Sequence, residues 1–561
     1  MEINGSENGM DGLDSLPAEV RTLILELLDL ESLLKCHDVC HSWREHSLYE
    51  SNYLPHVLDA YDQLTHGTRP LPADLRGSEK AQFLKELVKT SISALPVFAE
   101  CETLRDIAVV LHRLDKSWLS GSNTSFASLN RGDVHDTSIL AVAIDARTGS
   151  IVTGDTAGVV AFWNASTGCC YHRCHFPING TQWNWAVPYR IAIDGDIMVI
   201  GTPFGGAVVA IRSPSGPDPF LKVAEIWTDG GQIASIRIEG TVCILGEVGQ
   251  VSFWDLSRLL GNNGQTDTNP QVPNLMTIGT QNDLSPVHSL FYRESSLFVG
   301  LAGSGIQQIV SQSGQALSTK KQLWELPPSH YILLVSGPEI PGIGDVGCSQ
   351  LCPVGTAGDI LVSWADSSIC RMSWKMEDDL VWEPRSQFLI PVVDGPYKKT
   401  IAVYARGEKE ICRIKPNAIE MFLEDGTLIN RIPCNYGAIS CVAVDPAFIV
   451  VGTREAAVCV YYFAPGRQVP TYGQGPSSSA ATSTLRPPSL ERKHTYKRKY
   501  REAMGMDLET PMVVGGTVID PDRIRTTMTT AATTTKVISK SRSAKLATGP
   551  MANAKIPVPT P

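Results

Sequence analysis

The placement of apolar side chains along the chain changes period once. Near the start, Val20, Leu23, Ile24, Leu27 and Leu28 fall at i, i+3, i+4, i+7 and i+8, the spacing of one buried helical face. Ser15, Pro17 and Glu19 stand just ahead of it, offering a side-chain cap, a pre-set first turn and a carboxylate for the positive end of the helix. Leu33, Leu34, Cys36, Val39, Cys40 and Trp43 predict a second helix, and Phe83, Leu84, Leu87 and Val88 another. Leu104, Ile107, Ala108 and Leu111 add a further one, so the first part of the chain is mostly helical.

From about residue 139 the alternation becomes two-residue. A strand over Leu140–Asp145, a turn at Thr148-Gly149, a strand over Ile151–Thr153 and a third strand ending in Phe162-Trp163 make one unit. Its inner pair recurs at Arg190–Asp194 with Ile197–Gly201, at Ile236–Glu239 with Val242–Gly246, and at Cys441–Asp445 with Phe448–Gly452. Trp163, Ile211, Trp254, Ile309, Trp374, Phe422 and Tyr461 anchor the third strands, 39 to 65 residues apart. A repeat near 40–45 residues with this rhythm is the signature of a propeller blade, and seven anchors predict seven blades. The pattern blurs over 312–360, around the fifth and sixth blades, where an insertion is expected.

Both periods fade after Ala464, where Pro, Ser, Thr and basic residues take over; the tail is expected to be disordered. The organisation predicted is a flexible leader at 1–12, a three-helix module at 13–55, a helical linker at 56–118, an all-β propeller at 119–464 and a tail at 465–561.

Composition sharpens this picture. The 47 glycines and 36 prolines suit many short strands joined by turns. The net charge of −10 conceals two regions of opposite sign. Residues 466–561 carry 15 Lys and Arg against 6 Asp and Glu, a net of +9, leaving the remainder at −19. An acidic body argues against a chain that coats nucleic acid. Fourteen cysteines are too few for a disulfide scaffold, no secretory leader is visible and no apolar run reaches membrane-spanning length, so a reduced intracellular setting is expected.

The first segment resembles an F-box. Leu16-Pro17, Glu19, Ile24-Leu25, Leu28, Leu33, Val39-Cys40 and Trp43 stand where that family has its Leu-Pro-x-Glu start, its helical apolar face and its Val-Cys-x-x-Trp close. The region from 139 to 463 resembles WD-repeat propellers, with Trp254-Asp255 its one literal Trp-Asp pair, and Leu114–Trp118 is similar to the outer strand that closes such rings. The order F-box, linker, propeller implies a non-catalytic substrate receptor of a cullin–RING (SCF-type) ubiquitin ligase. The F-box would dock a Skp-type adaptor and, through it, a cullin; the propeller would hold an unknown protein substrate. An adaptor-binding scaffold outside ubiquitination is the alternative. A propeller enzyme is disfavoured by the lack of a convergent acid–base or phosphate site.

A module this small rarely stabilises itself, so an exposed apolar face is expected; Leu16, Pro17, Ile24, Leu28 and Leu33 are the candidates for adaptor contact. On the propeller, Arg190, Arg237 and Arg413 in inner-strand positions and Arg454 in the turn after Gly452 could converge near the channel on a phosphorylated segment. They could equally make in-sheet pairs or stay solvated. No cofactor or metal is expected: Cys36-His37 with Cys40-His41 lacks a second ligand pair, and Gly342-Ile-Gly-Asp-Val-Gly347 is not followed by a helix. Arg492-Lys493 and Lys497–Arg501 form a basic run that suits nuclear import, so nucleus and cytoplasm are both expected sites.

Overall fold

A computed structural model describes residues 16–39, 47–65, 71–120 except 73 and 92, 125–129, 134–179, 185–213, 218–261 except 230, 271–280, 285–293, 296–301, 305–311, 331–335, 348–354, 359–364, 369–375, 381–388, 400–406, 410–464, 512–514 and 517–519. The leader, Cys40, Trp43, the Gly342–Gly347 run and the basic run at 492–501 lie outside these residues.

Five helices open the chain: α1 (Ala18–Glu26), α2 (Leu30–Val39), α3 (Glu50–Thr65), α4 (Gly77–Ser91) and α5 (Leu104–Ser120). Pro17 itself is the cap residue of α1, in extended backbone and without a side-chain cap bond, and its carbonyl accepts from the amides of Val20 and Arg21. Asp29 takes the capping role for α2, accepting from the Ser32 amide at 2.7 Å. In α3 the buried Tyr53, Val57 and Tyr61 repeat at four-residue steps, and Leu104, Ile107, Ala108, Leu111 and Leu114 line the buried side of α5.

The propeller is present as read. Seven four-stranded antiparallel sheets occur among the described residues. In chain order they are β2 (Ile139–Asp145), β3 (Ser150–Asp155), β4 (Val160–Asn164) and β5 (Cys170–Cys174); β6 (Arg190–Asp194), β7 (Ile197–Gly201), β8 (Gly206–Arg212) and β9 (Phe220–Trp227); and β10 (Ser235–Glu239), β11 (Val242–Gly246), β12 (Gln250–Asp255) and β13 (Asn274–Gly279). They continue with β14 (Val287–Arg293) to β17 (Tyr331–Val335), β18 (Cys348–Val354) to β21 (Val381–Phe388), and β22 (Ala402–Arg406), β23 (Glu410–Lys415), β24 (Ala418–Leu423) and β25 (Leu428–Pro433). The seventh holds β26 (Ile439–Asp445), β27 (Phe448–Thr453) and β28 (Val458–Tyr462). Each third-strand anchor read from the sequence lies on the third strand of its blade. The first strands neighbour one another around the ring, β26 meeting β2 to close it.

The seventh sheet takes its outer strand from before the ring. β1 (Ser125–Ser128) runs antiparallel to β28, pairing Phe126 with Tyr461 and Ser128 with Cys459. This corrects the expectation for Leu114–Trp118, which is the final turn of α5 and not a strand. Each blade keeps only short edges, and its first strand is sheltered beside the first strands of its neighbours.

Blade one carries a buried polar chain that the sequence did not reveal. Trp163 Nε1 donates to Thr153 Oγ1 at 2.8 Å; Thr153 Oγ1 lies 2.7 Å from His135 Nε2, and His135 Nδ1 lies 2.9 Å from Asp155 Oδ2. Asp155 Oδ1 in turn accepts the amides of Ala157 and Val159, both at 2.9 Å. The chain joins the incoming loop to three positions on β3 and β4 with every polar group satisfied.

The helices and the ring share one core. Leu33, Tyr61, Leu95 and Leu104 cluster with Ile139, Val450 and Tyr462. At the turn between β26 and β27, the Asp445 carboxylate accepts from Ser93 Oγ at 2.6 Å, the Ala94 amide at 2.7 Å and the Ala447 amide at 2.9 Å. Gly149, at the matching turn of blade one, has φ +67°, and a Cβ there would lie 2.7 Å from the Ala94 carbonyl oxygen. The helical segment therefore sits on the side of the ring where first strands turn into second strands.

After the ring, the described residues form one antiparallel hairpin, β29 (Met512–Val514) with β30 (Thr517–Ile519). The rest of the stretch expected to be disordered lies outside the described residues.

Candidate protein-binding faces

Helix α1 is apolar on two sides. Leu25 is 1 % exposed and Leu33 on α2 is fully buried, while Val20, Leu23 and Leu27 are 40 %, 56 % and 77 % exposed. Of the adaptor candidates, Pro17 is exposed, Leu16, Ile24 and Leu28 are half-buried, and Leu28 packs against the shared core. Leu33 is thus corrected from contact to core, because its neighbours on α3 and α5 already cover it. The open stripe is Val20, Leu23 and Leu27, spaced i, i+3 and i+7 on one flank.

The four arginines sit in blades two, three, six and seven, and three of them are engaged by local partners. Arg190 donates from Nε to the Ala234 carbonyl at 2.8 Å and from Nη1 to its neighbour's carbonyl at 2.9 Å, and lies over the Tyr189 ring. Arg237 Nε pairs with Glu239 Oε1 at 2.6 Å within the same strand. Arg413 lies on the second strand of its blade, within the inner pair, but is corrected as a binding candidate because it is only 1 % exposed. Its Nε and Nη2 reach Glu420 Oε2 at 2.9 and 2.6 Å, with Lys415 Nζ 3.3 Å from the other oxygen and Phe422 stacked beneath. Burial and the adjacent Arg413 charge hold the Lys415 amine below its ordinary pKa. Arg454 is exposed, its amide and carbonyl bonded to Ala438 and Ser138.

Opposite the helical segment, the ring presents the loops that enter each blade and the turns between second and third strands. Exposed aromatic rings gather there over blades one and two: Trp185 at 37 %, Phe204 at 57 % and Trp227 at 44 %. Gly158 (φ +86°) lies directly under the Trp185 indole, leaving no space for a Cβ. A Cβ on Gly206 would lie 2.8 Å from Ile178 and 3.1 Å from Trp227, so these two side chains rest together on that glycine. Trp227 is held edge-on by Glu225, whose Oε2 accepts its Nε1 at 3.1 Å. The same carboxylate accepts the Asn179 amide at 3.1 Å and pairs with Lys222. Sequence reading missed this rim because its rings come from separate loops, outside the strand pattern.

Among the described residues no three His, Cys, Asp or Glu side chains lie close enough to hold a metal ion, and no helix is long and apolar enough to cross a membrane.

Residues 13–53 match the family model described as F-box-like. No match was found among curated proteins. Solved structures similar to the chain include U3-55K (13 % identity, TM-score 0.42, covering 60 % of this chain and 98 % of that one). The RRP9 WD40 repeats (12 %, 0.42, 60 % and 97 %) and BamB from Moraxella catarrhalis (12 %, 0.36, 58 % and 85 %) are others. An F-box-like segment at residues 13–53 is thus followed, among the described residues, by seven four-stranded blades of a β-propeller.

Proposed function

We infer that the protein is the substrate-recognition subunit of a cullin–RING ubiquitin ligase, supplying proximity and no chemistry of its own. The observation that carries this reading is the exposed apolar stripe Val20, Leu23 and Leu27 on the first helix of the F-box-like segment. Three large aliphatic side chains on one helix flank, beside the exposed Pro17, suit a helical partner such as a Skp-type adaptor. The helical segment shares its core with blades one and seven, so an adaptor-held ligase would carry the opposite ring face at a fixed attitude. A substrate held on that face gains effective concentration near the transferring enzyme. The protein would act in the nucleus, the cytoplasm or both.

The test is co-purification of a Skp-type adaptor and a cullin with the full chain and with Leu23→Asp/Leu27→Asp. Both partners are expected with the unaltered chain and neither with the variant, whose thermal midpoint should hold because both positions are exposed. Adaptor without cullin would favour a scaffold outside ubiquitination. Absence of both from the unaltered chain would refute the reading.

A further inference from the structure

We propose that the aromatic rim over blades one and two is the substrate-reading surface, and that it takes an unphosphorylated protein segment presenting apolar side chains flanked by Lys or Arg. This rests on the receptor reading above and adds the chemistry of what is received.

Three observations lead there. The rings of Trp185, Phe204 and Trp227 form one surface. Pro177 bridges to Trp185, its neighbour Ile178 shares the seat of Trp227, and Gly205, next to Phe204, abuts the Thr228 and Gly231 backbone. The surface is also built to stay open. Glycines under Trp185 and Trp227 fix the height of the indoles, and Glu225 fixes the direction of the second. Rigid exposed Trp and Phe side chains of this kind are the residues that dominate protein interfaces.

The third observation is charge, and it selects the occupant. The described residues of the segments forming and flanking the rim are 134–138, 155–159, 175–179, 185–189, 202–205, 222–229 and 231–234, and among them the one Lys or Arg is Lys222, which is paired with Glu225. They do hold Asp136 and Asp229, both exposed. Of the arginines bordering them, Arg190 spends its guanidinium on two backbone carbonyls, and Arg454, whose carbonyl accepts from Ser138, belongs to blade seven. A phosphate on the rings of blades one and two would meet carboxylates and no arginine of those segments, whereas a Lys or Arg side chain would meet carboxylates and the faces of two indoles.

The experiment pans a phage-displayed library of random 16-residue peptides against the purified full chain, then measures selected synthetic peptides by fluorescence anisotropy. Enriched sequences are expected to combine aromatic or aliphatic anchors with Lys or Arg. Their Kd should rise at least about tenfold in Trp227→Ala/Phe204→Ala. It should rise severalfold in Asp229→Lys, an exposed charge reversal with no packing role. Serine-phosphorylated versions of the same peptides should bind more weakly. Acidic or phosphomimetic enrichment, binding indifferent to these substitutions, or no enriched peptide would each overturn the proposal. Adaptor co-purification by the rim variants reports separately on the ligase reading, since the rim and the Leu23–Leu27 stripe share no residues.

Discussion

The indole of Trp118 stacks on the ring of Phe463 with centroids 3.9 Å apart and planes 17° apart, while its Nε1 donates to the Pro446 carbonyl at 2.7 Å. One side chain at the end of α5 thereby grips both the first turn of blade seven and the residue that follows its last strand. Trp118→Ala is expected to cost about 3–5 kcal/mol. Trp118→Phe keeps the stack, loses the hydrogen bond and should cost only about 1 kcal/mol. Urea unfolding of the two variants measures the difference, and equal losses would mean that the stack contributes little.

Asp445 makes this junction sensitive to acid. Burial outweighs its three hydrogen bonds and pushes the carboxyl up to about 6 from the usual 3.8. A raised folded pKa favours the protonated form, so this group's contribution is fullest below 3.8 and is lost as pH rises through 6. Between those values stability should rise by up to about 1.4 kcal/mol per pH unit of acidification. Asp445→Asn removes that slope. It also turns an amide N–H₂ toward a backbone or hydroxyl donor, costing about 1–3 kcal/mol at neutral pH. Thermal midpoints of both proteins from pH 7.5 to 5 test the claim; parallel profiles would refute it.

Thr153 sits at the centre of the polar chain in blade one. The arrangement that satisfies each donor has Trp163 N–H donating to Thr153, the Thr153 hydroxyl donating to His135 Nε2, and His135 Nδ1–H donating to Asp155. Thr153→Val preserves shape but strands the indole N–H and the imidazole nitrogen in a dry core, for a loss of about 2–4 kcal/mol. Thr153→Ser retains the hydroxyl and should lose less than about 1 kcal/mol. Chemical denaturation separates the two.

Arg413 and Arg454 should behave oppositely. Removing Arg413 leaves buried Glu420 with weaker partners and is expected to cost about 3 kcal/mol. Arg454→Ala changes an exposed turn residue and should stay within about 0.5 kcal/mol. Neither substitution should alter binding of peptides selected on the aromatic rim.

The ring was legible in the sequence because a third strand is covered on both faces by neighbouring blades. It therefore advertises itself with bulky residues such as Trp163 and Phe422, which are 1 % and 3 % exposed. The closing strand could not be read the same way: Ser125–Ser128 is four residues long, half-exposed throughout, and paired with a segment more than 300 residues away. In α1 the period was correct but its direction was ambiguous. Leucines and valines occupy both flanks, and spacing alone does not say which flank the neighbouring helices cover. Arg413 reads as an available inner-pair charge because its partner Glu420 lies on the following strand, and only the pairing of the two strands brings them together in the core. The rim and the polar chain join residues from separate loops, and only the folded ring brings them together.

The strand that seals the ring also imposes a waiting time during synthesis. Ser125–Ser128 leaves the ribosome long before its partner Val458–Tyr462 exists. At ribosomal speeds of about 5–20 residues per second, the gap is on the order of 15–70 s. Through that interval the early blades are an open arc with a bare edge, while the F-box helices wait for the final blade to complete their core. A nascent chain in this position is a natural client for chaperones. Stalling within the last blade should release molecules whose F-box region is fully translated but unsupported.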